Sequence, residues 1–266
     1  MKSRILCITA GQRAGTTALH SALAGTGKFS NFGEIFQETN DLGAGYLQYC
    51  KDNKVLASDI LTNANAKQHV RSYIDFIIER AGSTTPLVDV KFNSWLTISP
   101  IWRYIHQRPY FMNHLISYDT TFLIIRREDL AAQVMSEQIA RSVDKWHNLE
   151  GNEVPKELEV DVEWAQWQAQ LIAQTEQSLI TFLKGKLRTI CVTYENLYHD
   201  EAINSAVLDL LQERFKIELP SPLFPKFHKN AGDKSQIIAN YDKVKTLIDQ
   251  VLLRFPRPDI PDAGLI

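Results

Sequence analysis

The sequence predicts an α/β fold in which helices flank a mostly parallel sheet. Short apolar runs rich in β-branched residues alternate with longer segments of helical periodicity, and this alternation is typical of parallel sheets. The predicted strands are Ile5–Thr9, Pro86–Lys91, Thr120–Ile125 and Leu187–Thr193. The predicted helices are Thr16–Ala24, Asn65–Arg80, Glu128–Trp146 and Val162–Leu183. A glycine turn joins the first strand to the first helix, where a phosphate-binding loop is expected in folds of this class.

Local patterns support each element in turn. The first strand is continuously apolar or β-branched up to Gly11, as a buried strand requires. The helix Asn65–Arg80 carries an apolar stripe that starts at Val70, and Gly82 follows its end as a stop signal. The other strands are short β-branched runs beside helical segments. The tail 255–266 begins FPRPDIPD, and its prolines predict an extended segment rather than a helix.

Length and composition predict a single domain, 1–266, because 44% of the 266 residues are hydrophobic and 23% are charged. The formal net charge of −2 and a pI near 6.4 predict no nucleic-acid partner. The three cysteines are widely spaced, so neither a disulfide framework nor a zinc site is predicted. The first apolar run is shorter than the roughly 7 to 15 residues of a signal core, and no later run approaches the roughly 18 residues of a membrane span. We therefore expect a cytoplasmic protein without a membrane span.

The turn after the first strand, GQRAGTT, has the residue types of an anion site. Gly15 allows a close backbone approach where the helix begins, and Arg13 supplies a planar, charged donor. Thr16 and Thr17 add hydroxyl groups, and Ala14 contributes a backbone amide in the same turn. The alternative is a tight strand-to-helix turn with a threonine cap. The G-K-[ST] ending of a nucleotide-kinase loop is missing, because Gly15 is followed directly by Thr16.

A second basic segment, RREDLAAQVMS, follows the third predicted strand. Arg127 stands at the end of that strand, and Ser136 shares one face of the next helix with Asp129 and Gln133. A strand-end arginine and a helix serine can grip one phosphate together. Two alternatives stay open: a solvated helix face, and Arg126 in place of Arg127 as the phosphate ligand.

Both segments resemble motifs of sulfotransferases that use 3′-phosphoadenosine 5′-phosphosulfate (PAPS). The loop reads [KR]-x-G-[ST]-[ST], and the second segment reads R-x-D-x-x-x-Q-x-x-S, similar to the bacterial carbohydrate sulfotransferases of the trehalose and nodulation types. The resemblance implies a P-loop-like sulfotransferase fold with PAPS as the sulfuryl donor. It places Arg13 and residues 14–17 at the 5′-phosphosulfate, and Arg127 with Ser136 at the 3′-phosphate.

Further segments resemble the same family. Glu34 in NFGEIF stands where the family carries its proposed general base. Lys91 ends the strand LVDVK and is expected to steady the sulfuryl oxygens, the alternative being a strand-end lysine that extends to solvent. Tyr194 in VTYENL corresponds to a segment near the adenine, and Lys229 lies in a closing segment whose basic residues approach the cofactor.

The implied reaction is in-line transfer of a sulfuryl group from PAPS to a hydroxyl of a carbohydrate or glycolipid acceptor. Glu34 is the predicted base and Glu38 and Asp41 are its competitors, because a hydroxyl of high pKa benefits from a positioned base. No metal is expected, since no magnesium has to bridge adjacent phosphates. Two other interpretations stay open. One is a P-loop-type kinase or NTPase with Asp59 or Asp89 as metal ligand, and the other is a non-catalytic nucleotide-binding protein of this fold.

Overall fold

The chain folds around a central sheet, and the computed structural model describes residues 4–38, 40, 42–60, 63–99, 107–142, 157–183, 188–225, 234–259 and 263–265. The strands are β1 (Ile5–Ala10), β2 (Phe29–Glu34), β3 (Thr85–Lys91), β4 (Thr120–Arg126), β5 (Thr189–Thr193), β6 (Tyr198–His199), β7 (Ala202–Ile203) and β8 (Ala263–Leu265). The helices are α1 (Thr16–Gly25), α2 (Tyr46–Asp52), α3 (Asn63–Ala81), α4 (Tyr110–Ser117), α5 (Leu130–Ser142), α6 (Val162–Leu183), α7 (Tyr194–Leu197), α8 (Ser205–Phe215) and α9 (Tyr241–Arg254).

The main sheet has six strands in the order β2-β3-β1-β4-β5-β8. Strand β1 lies between β3 and β4, and the pairings from β2 through β5 are all parallel. Strand β8 pairs antiparallel with β5 at one edge. The predicted α/β fold with a mostly parallel, helix-flanked sheet is therefore confirmed.

Successive residues of the central strands point to opposite faces of the sheet, as the twofold side-chain repeat requires. In β1, Ile5 and Cys7 pack into a core covered by α3, α4, α5, α6 and α9. Leu6 and Ile8 pack into a second core, covered by α1 and α8. Both faces of the sheet are thus buried, which explains why the central strands read as continuous apolar runs.

Strands β1 and β4 end side by side, and their connections diverge from this point. After β1 the chain turns into α1 on one face of the sheet, whereas after β4 it turns into α5 on the other face. The carboxyl ends of neighbouring parallel strands are the usual ligand site where connections diverge in this way. The topology therefore brings the loop after β1 and the segment after β4 to one place.

The predicted elements agree with the structure to within a few residues, and α6 has the predicted bounds. The helix predicted at Glu128–Trp146 begins at Leu130 and is described as far as Ser142. Strand β2 was not predicted, because Asn31 and Gly33 interrupt its apolar pattern. The proline-rich tail was predicted as an extended segment, and it ends in the edge strand β8, whose pairing the sequence did not predict. Within the described ranges, no helix has both the length and the apolar character needed to cross a bilayer.

Candidate functional site

The loop between β1 and α1 requires its glycine. Gly15 has φ 79°, and a Cβ placed on it would lie 2.6 Å from Cε2 of Tyr194. The hydroxyl of Tyr198 also donates to the carbonyl oxygen of Gly15 at 2.8 Å. Two tyrosine rings therefore pack against the loop and fix its path, and only a residue without a side chain fits.

The amino-terminal end of α1 is open to an anion. No side chain caps the helix at Gly15, and its first turn contains no acidic residue. The first N–H groups of a helix have no partner within the helix, and the helix dipole makes this end positive. Thr16 is buried and Thr17 half-buried in this first turn, and Ala14 is buried in the loop before it. The threonine cap considered from the sequence is not observed.

The segment after β4 meets the loop directly. Nε of Arg13 donates to Oγ of Ser136 at 3.2 Å, although the two residues are 123 positions apart in the chain. Arg127 Nη1 lies 3.5 Å from the carbonyl oxygen of Arg13. Burial lowers the pKa of Arg13, and the neighbouring charge of Arg127 lowers it further. Two cations held together in a partly buried site favour an anion between or beside them.

The two arginines at the end of β4 point to different partners. The guanidinium carbon of Arg127 lies 5.0 Å from the ring centroid of Tyr194, which follows β5, in a cation–π contact. Burial raises the pKa of Tyr194, while Arg127 acts in the opposite direction. Arg126 instead pairs with Glu176, with Nη1 and Oε1 3.2 Å apart. Of the two arginines considered from the sequence, Arg127 is the one at the loop.

On the other side of the loop, Lys91 is buried at the end of β3. Its Nζ donates to Thr16 Oγ1 at 2.6 Å and to Asp89 Oδ2 at 2.7 Å, and it lies 3.4 Å from Glu34 Oε1. Burial alone lowers the pKa of Lys91, but Asp89 and Glu34 outweigh it and the pKa is raised. The alternative of a lysine that extends to solvent is therefore wrong. Because Thr16 accepts from Lys91, the hydroxyl hydrogen of Thr16 remains available to a ligand.

Glu34 ends β2 beside the same lysine. A register shift between Asn31 and Glu34, with Gly33 at φ 60°, redirects the strand so that Glu34 pairs with Asp89 in β3. Gln12 Nε2 donates to Glu34 Oε2 at 3.4 Å. Burial raises the pKa of Glu34, Lys91 opposes this and Asp89 adds to it, so that the net shift is upward. The side chain keeps 27% of its surface exposed, so the carboxylate is accessible to an acceptor.

Two residues that the sequence analysis did not assign to the site, Gln133 and Tyr198, support the loop. Gln133 is buried on α5, and its Nε2 donates to the carbonyl oxygen of Gln12 at 2.7 Å. A Cβ on Gly11 would lie 2.7 Å from the same nitrogen, so Gln133 packs tightly on the loop. The only sequence signal was the shared helix face of Gln133 and Ser136. The loop is thus contacted by α5 and, at Gly15, by Tyr194 and Tyr198.

Two of the remaining predicted residues fall outside the described part of the chain, and two others are placed by it. Lys229 and Asp41 are outside the described residues. Glu38 is exposed, and Asp59 accepts a bond from the amide of Leu56 at 2.7 Å within its own turn. Over the part of the chain that the structure describes, no group of three or more His, Cys, Asp or Glu residues is placed to hold a metal ion.

No protein-family model matches the sequence, and no curated protein matches it. Among solved structures, the chain is similar to the sulfotransferase domain from the curacin biosynthetic pathway, at 16% identity and a TM-score of 0.49, over 98% of this chain and 93% of that chain. It is also similar to the sulfotransferase domain from the Synechococcus PCC 7002 olefin synthase, at 16% identity and a TM-score of 0.46, over 98% of each chain. A structure from the PezAT chromosomal toxin–antitoxin system of Streptococcus pneumoniae matches at 11% identity and a TM-score of 0.33, over 96% of this chain and 88% of that chain. At these identities and scores, no activity, substrate or residue role is carried over to this chain.

Proposed function

We propose that this protein is a PAPS-dependent sulfotransferase that acts on a hydroxyl of a carbohydrate or glycolipid acceptor. The observation that carries the proposal is the 3.2 Å contact between Arg13 in the loop after β1 and Ser136 on α5. It joins the two segments that the sequence resemblance assigns to the 5′-phosphosulfate and the 3′-phosphate of one donor. Two phosphate-binding segments in contact favour a small ligand that carries separate anionic groups.

The residues around the ends of β1 and β4 fit such a donor. The loop offers an uncapped helix amino terminus with no acidic residue in its first turn. Arg127 Nε is buried and has no hydrogen-bond partner among the residues that the structure describes, so a donor is available there. Ser136 accepts from Arg13, which leaves its own hydroxyl hydrogen for a ligand.

We assign the amides and hydroxyls of residues 14–17 to the 5′-phosphosulfate. Arg127 and Ser136 are assigned to the 3′-phosphate, the group that distinguishes PAPS from ATP. Tyr194 is assigned to the adenine side, because its ring lies beside Arg127. Lys229 is kept as a proposed cofactor contact on the sequence resemblance alone.

Sulfuryl transfer needs a base for the acceptor and charge stabilisation for the leaving group. Glu34 takes the proton from the acceptor hydroxyl as the acceptor oxygen forms the new S–O bond. Such general-base catalysis typically raises the rate by about 10²- to 10⁴-fold. Arg13 and the loop amides stabilise the charge that grows on the leaving phosphate oxygen as the old S–O bond breaks. Lys91 holds the hydroxyl of Thr16 and the carboxylate of Glu34 on the same side of the loop.

The test is transfer of labelled sulfate from PAPS to a panel of saccharides and glycolipids. Glu34→Gln keeps the shape of the side chain but cannot accept the proton, so kcat should fall by at least about 100-fold. The affinity for 3′,5′-adenosine bisphosphate should stay near that of the unchanged protein. Glu38→Gln is the matched control, because Glu38 is exposed four residues further on, and it should stay within a few-fold of the unchanged protein.

Two results would contradict the proposal in different ways. A Glu34→Gln enzyme that turns over within a few-fold of the unchanged protein would place the base elsewhere. Phosphoryl transfer from ATP and magnesium, without any sulfate transfer from PAPS, would instead favour the kinase interpretation.

A further inference from the structure

The chain after α9 returns to the end of β4. Residues 255–259, here named the C-terminal strap, leave Arg254 at the end of α9 and reach the junction between β4 and α5. We propose that Arg257 in this strap is a positioning residue that holds this junction, and therefore Arg127, in place for the 3′-phosphate. This inference rests on the proposed function and adds a residue from the end of the chain to the same site.

Arg257 is anchored by a buried carboxylate. Glu176 on α6 has no exposed surface. Its Oε2 accepts from Nη2 and Nε of Arg257 at 2.5 and 3.1 Å, and its Oε1 accepts from Arg126 at 3.2 Å. Arg126 also donates to the carbonyl oxygen of Pro258 in the strap. One buried anion thus ties the strap to the last residue of β4.

The remaining arm of the Arg257 guanidinium reaches the backbone of the site. Nη1 donates to the carbonyl oxygen of Arg127 at 2.5 Å and lies 3.3 Å from that of Glu128. These carbonyls belong to the turn from β4 into α5. Fixing them fixes the peptide planes from which the Arg127 side chain extends and the start of the helix that carries Ser136. Arg257 therefore acts on the 3′-phosphate through Arg127, without touching it.

The planar shape of the guanidinium is essential to this arrangement. The edge of the guanidinium that carries Nε and Nη2 binds Glu176, while Nη1 binds the two carbonyls. The carboxylate and the backbone are therefore held in a fixed relative orientation. A lysine has the charge but not the fork, and it cannot make both sets of contacts together. Arg257→Lys consequently keeps the positive charge at this position but loses the geometry that orients the junction.

The first measurement is the affinity of Arg257→Lys and Arg257→Gln for 3′,5′-adenosine bisphosphate and for 5′-AMP. Both variants should bind the bisphosphate about 10-fold more weakly and bind 5′-AMP within about twofold of the unchanged protein, because misplacing one charged ligand costs about that much. Arg254→Gln is the matched control, since Arg254 is exposed three residues earlier, and it should change neither affinity.

The second measurement is hydrogen–deuterium exchange across residues 127–132 without nucleotide. The amide of Glu128 donates to Glu195 at 3.0 Å and that of Ala132 to Asp129 at 2.7 Å, so both report on the junction. Exchange there should become faster in Arg257→Gln and stay unchanged in α1.

The outcomes separate this inference from the proposed function. If the unchanged protein does not prefer the bisphosphate, the proposed function fails, and the exchange result still decides whether Arg257 holds the junction. Equal losses for both nucleotides, or faster exchange throughout the protein, would make Arg257 a general stabilising residue and overturn the inference. Unchanged exchange across residues 127–132 would also overturn it.

Discussion

Gly15→Ala should damage both the fold and the anion site. The backbone of Gly15 has φ 79°, and an L-residue in the left-handed region costs about 1–2 kcal/mol. The new Cβ would lie 2.6 and 2.7 Å from ring carbons of Tyr194, and forcing a group into a packed site costs typically about 1–3 kcal/mol. The free energy of unfolding should therefore fall by about 2–5 kcal/mol. Moving the Tyr194 ring also disturbs Arg127, so nucleotide binding should weaken.

Two other glycines near α1 separate these contributions. Gly27 has φ 69° but no heavy atom within 4 Å of a built Cβ, so Gly27→Ala should cost only the backbone part, about 1–2 kcal/mol. Gly25 ends α1 in open space, and Gly25→Ala should leave stability unchanged or raise it by up to about 1 kcal/mol. Urea unfolding of the three variants gives the comparison. If Gly15→Ala costs no more than Gly27→Ala, the Tyr194 ring does not pack on the loop.

Two further predictions concern the charged residues on either side of the loop. Arg13→Ala should lower kcat by about 100-fold and weaken bisphosphate affinity by a smaller factor, because the leaving-group charge develops only in the transition state. Steady-state kinetics measure both effects. A normal kcat with a raised KM would show instead that Arg13 only binds the donor in the ground state. Lys91→Met removes the largest influence that lowers the pKa of Glu34 and leaves only the Gln12 hydrogen bond to oppose burial and Asp89, so that this pKa rises further. Since Glu34 must be deprotonated to act as a base, the rise of kcat with pH should move to higher pH, and a pH–rate profile that does not move would contradict this role.

The hydrophobic pattern predicted most of the fold, because buried strands and amphipathic helices repeat with clear periods. Helix α6 and the central strands are examples, and their bounds agree with the structure. Strand β2 lies at the sheet edge and contains Asn31 and Gly33, so its pattern is too short and too polar to recognise. Strand β8 depends on pairing with β5 and has almost no local signal.

The sequence predicted which residue types form the site, but it did not predict the contacts between them. Arg13 and Arg127 follow strands, and the carboxyl ends of parallel strands meet at one edge, so their proximity could be expected. The hydrogen bond from Arg13 to Ser136 depends on which face of the sheet each helix covers, and sequence spacing does not give this. The link between Arg257 and Glu176 joins residues 81 positions apart and needed the path of the final strap.

The central claim is that Arg127 and Ser136 form a separate 3′-phosphate site beside the loop, and titration calorimetry tests it most directly. The protein should bind 3′,5′-adenosine bisphosphate more tightly than 5′-AMP by about 1.5–3 kcal/mol, or about one to two orders of magnitude, as expected for a charge-assisted pair. Arg127→Ala should remove most of this preference while leaving 5′-AMP affinity almost unchanged, and Arg254→Ala should not affect it. Equal affinities of the unchanged protein for the two nucleotides, or equal losses for both in Arg127→Ala, would contradict the claim.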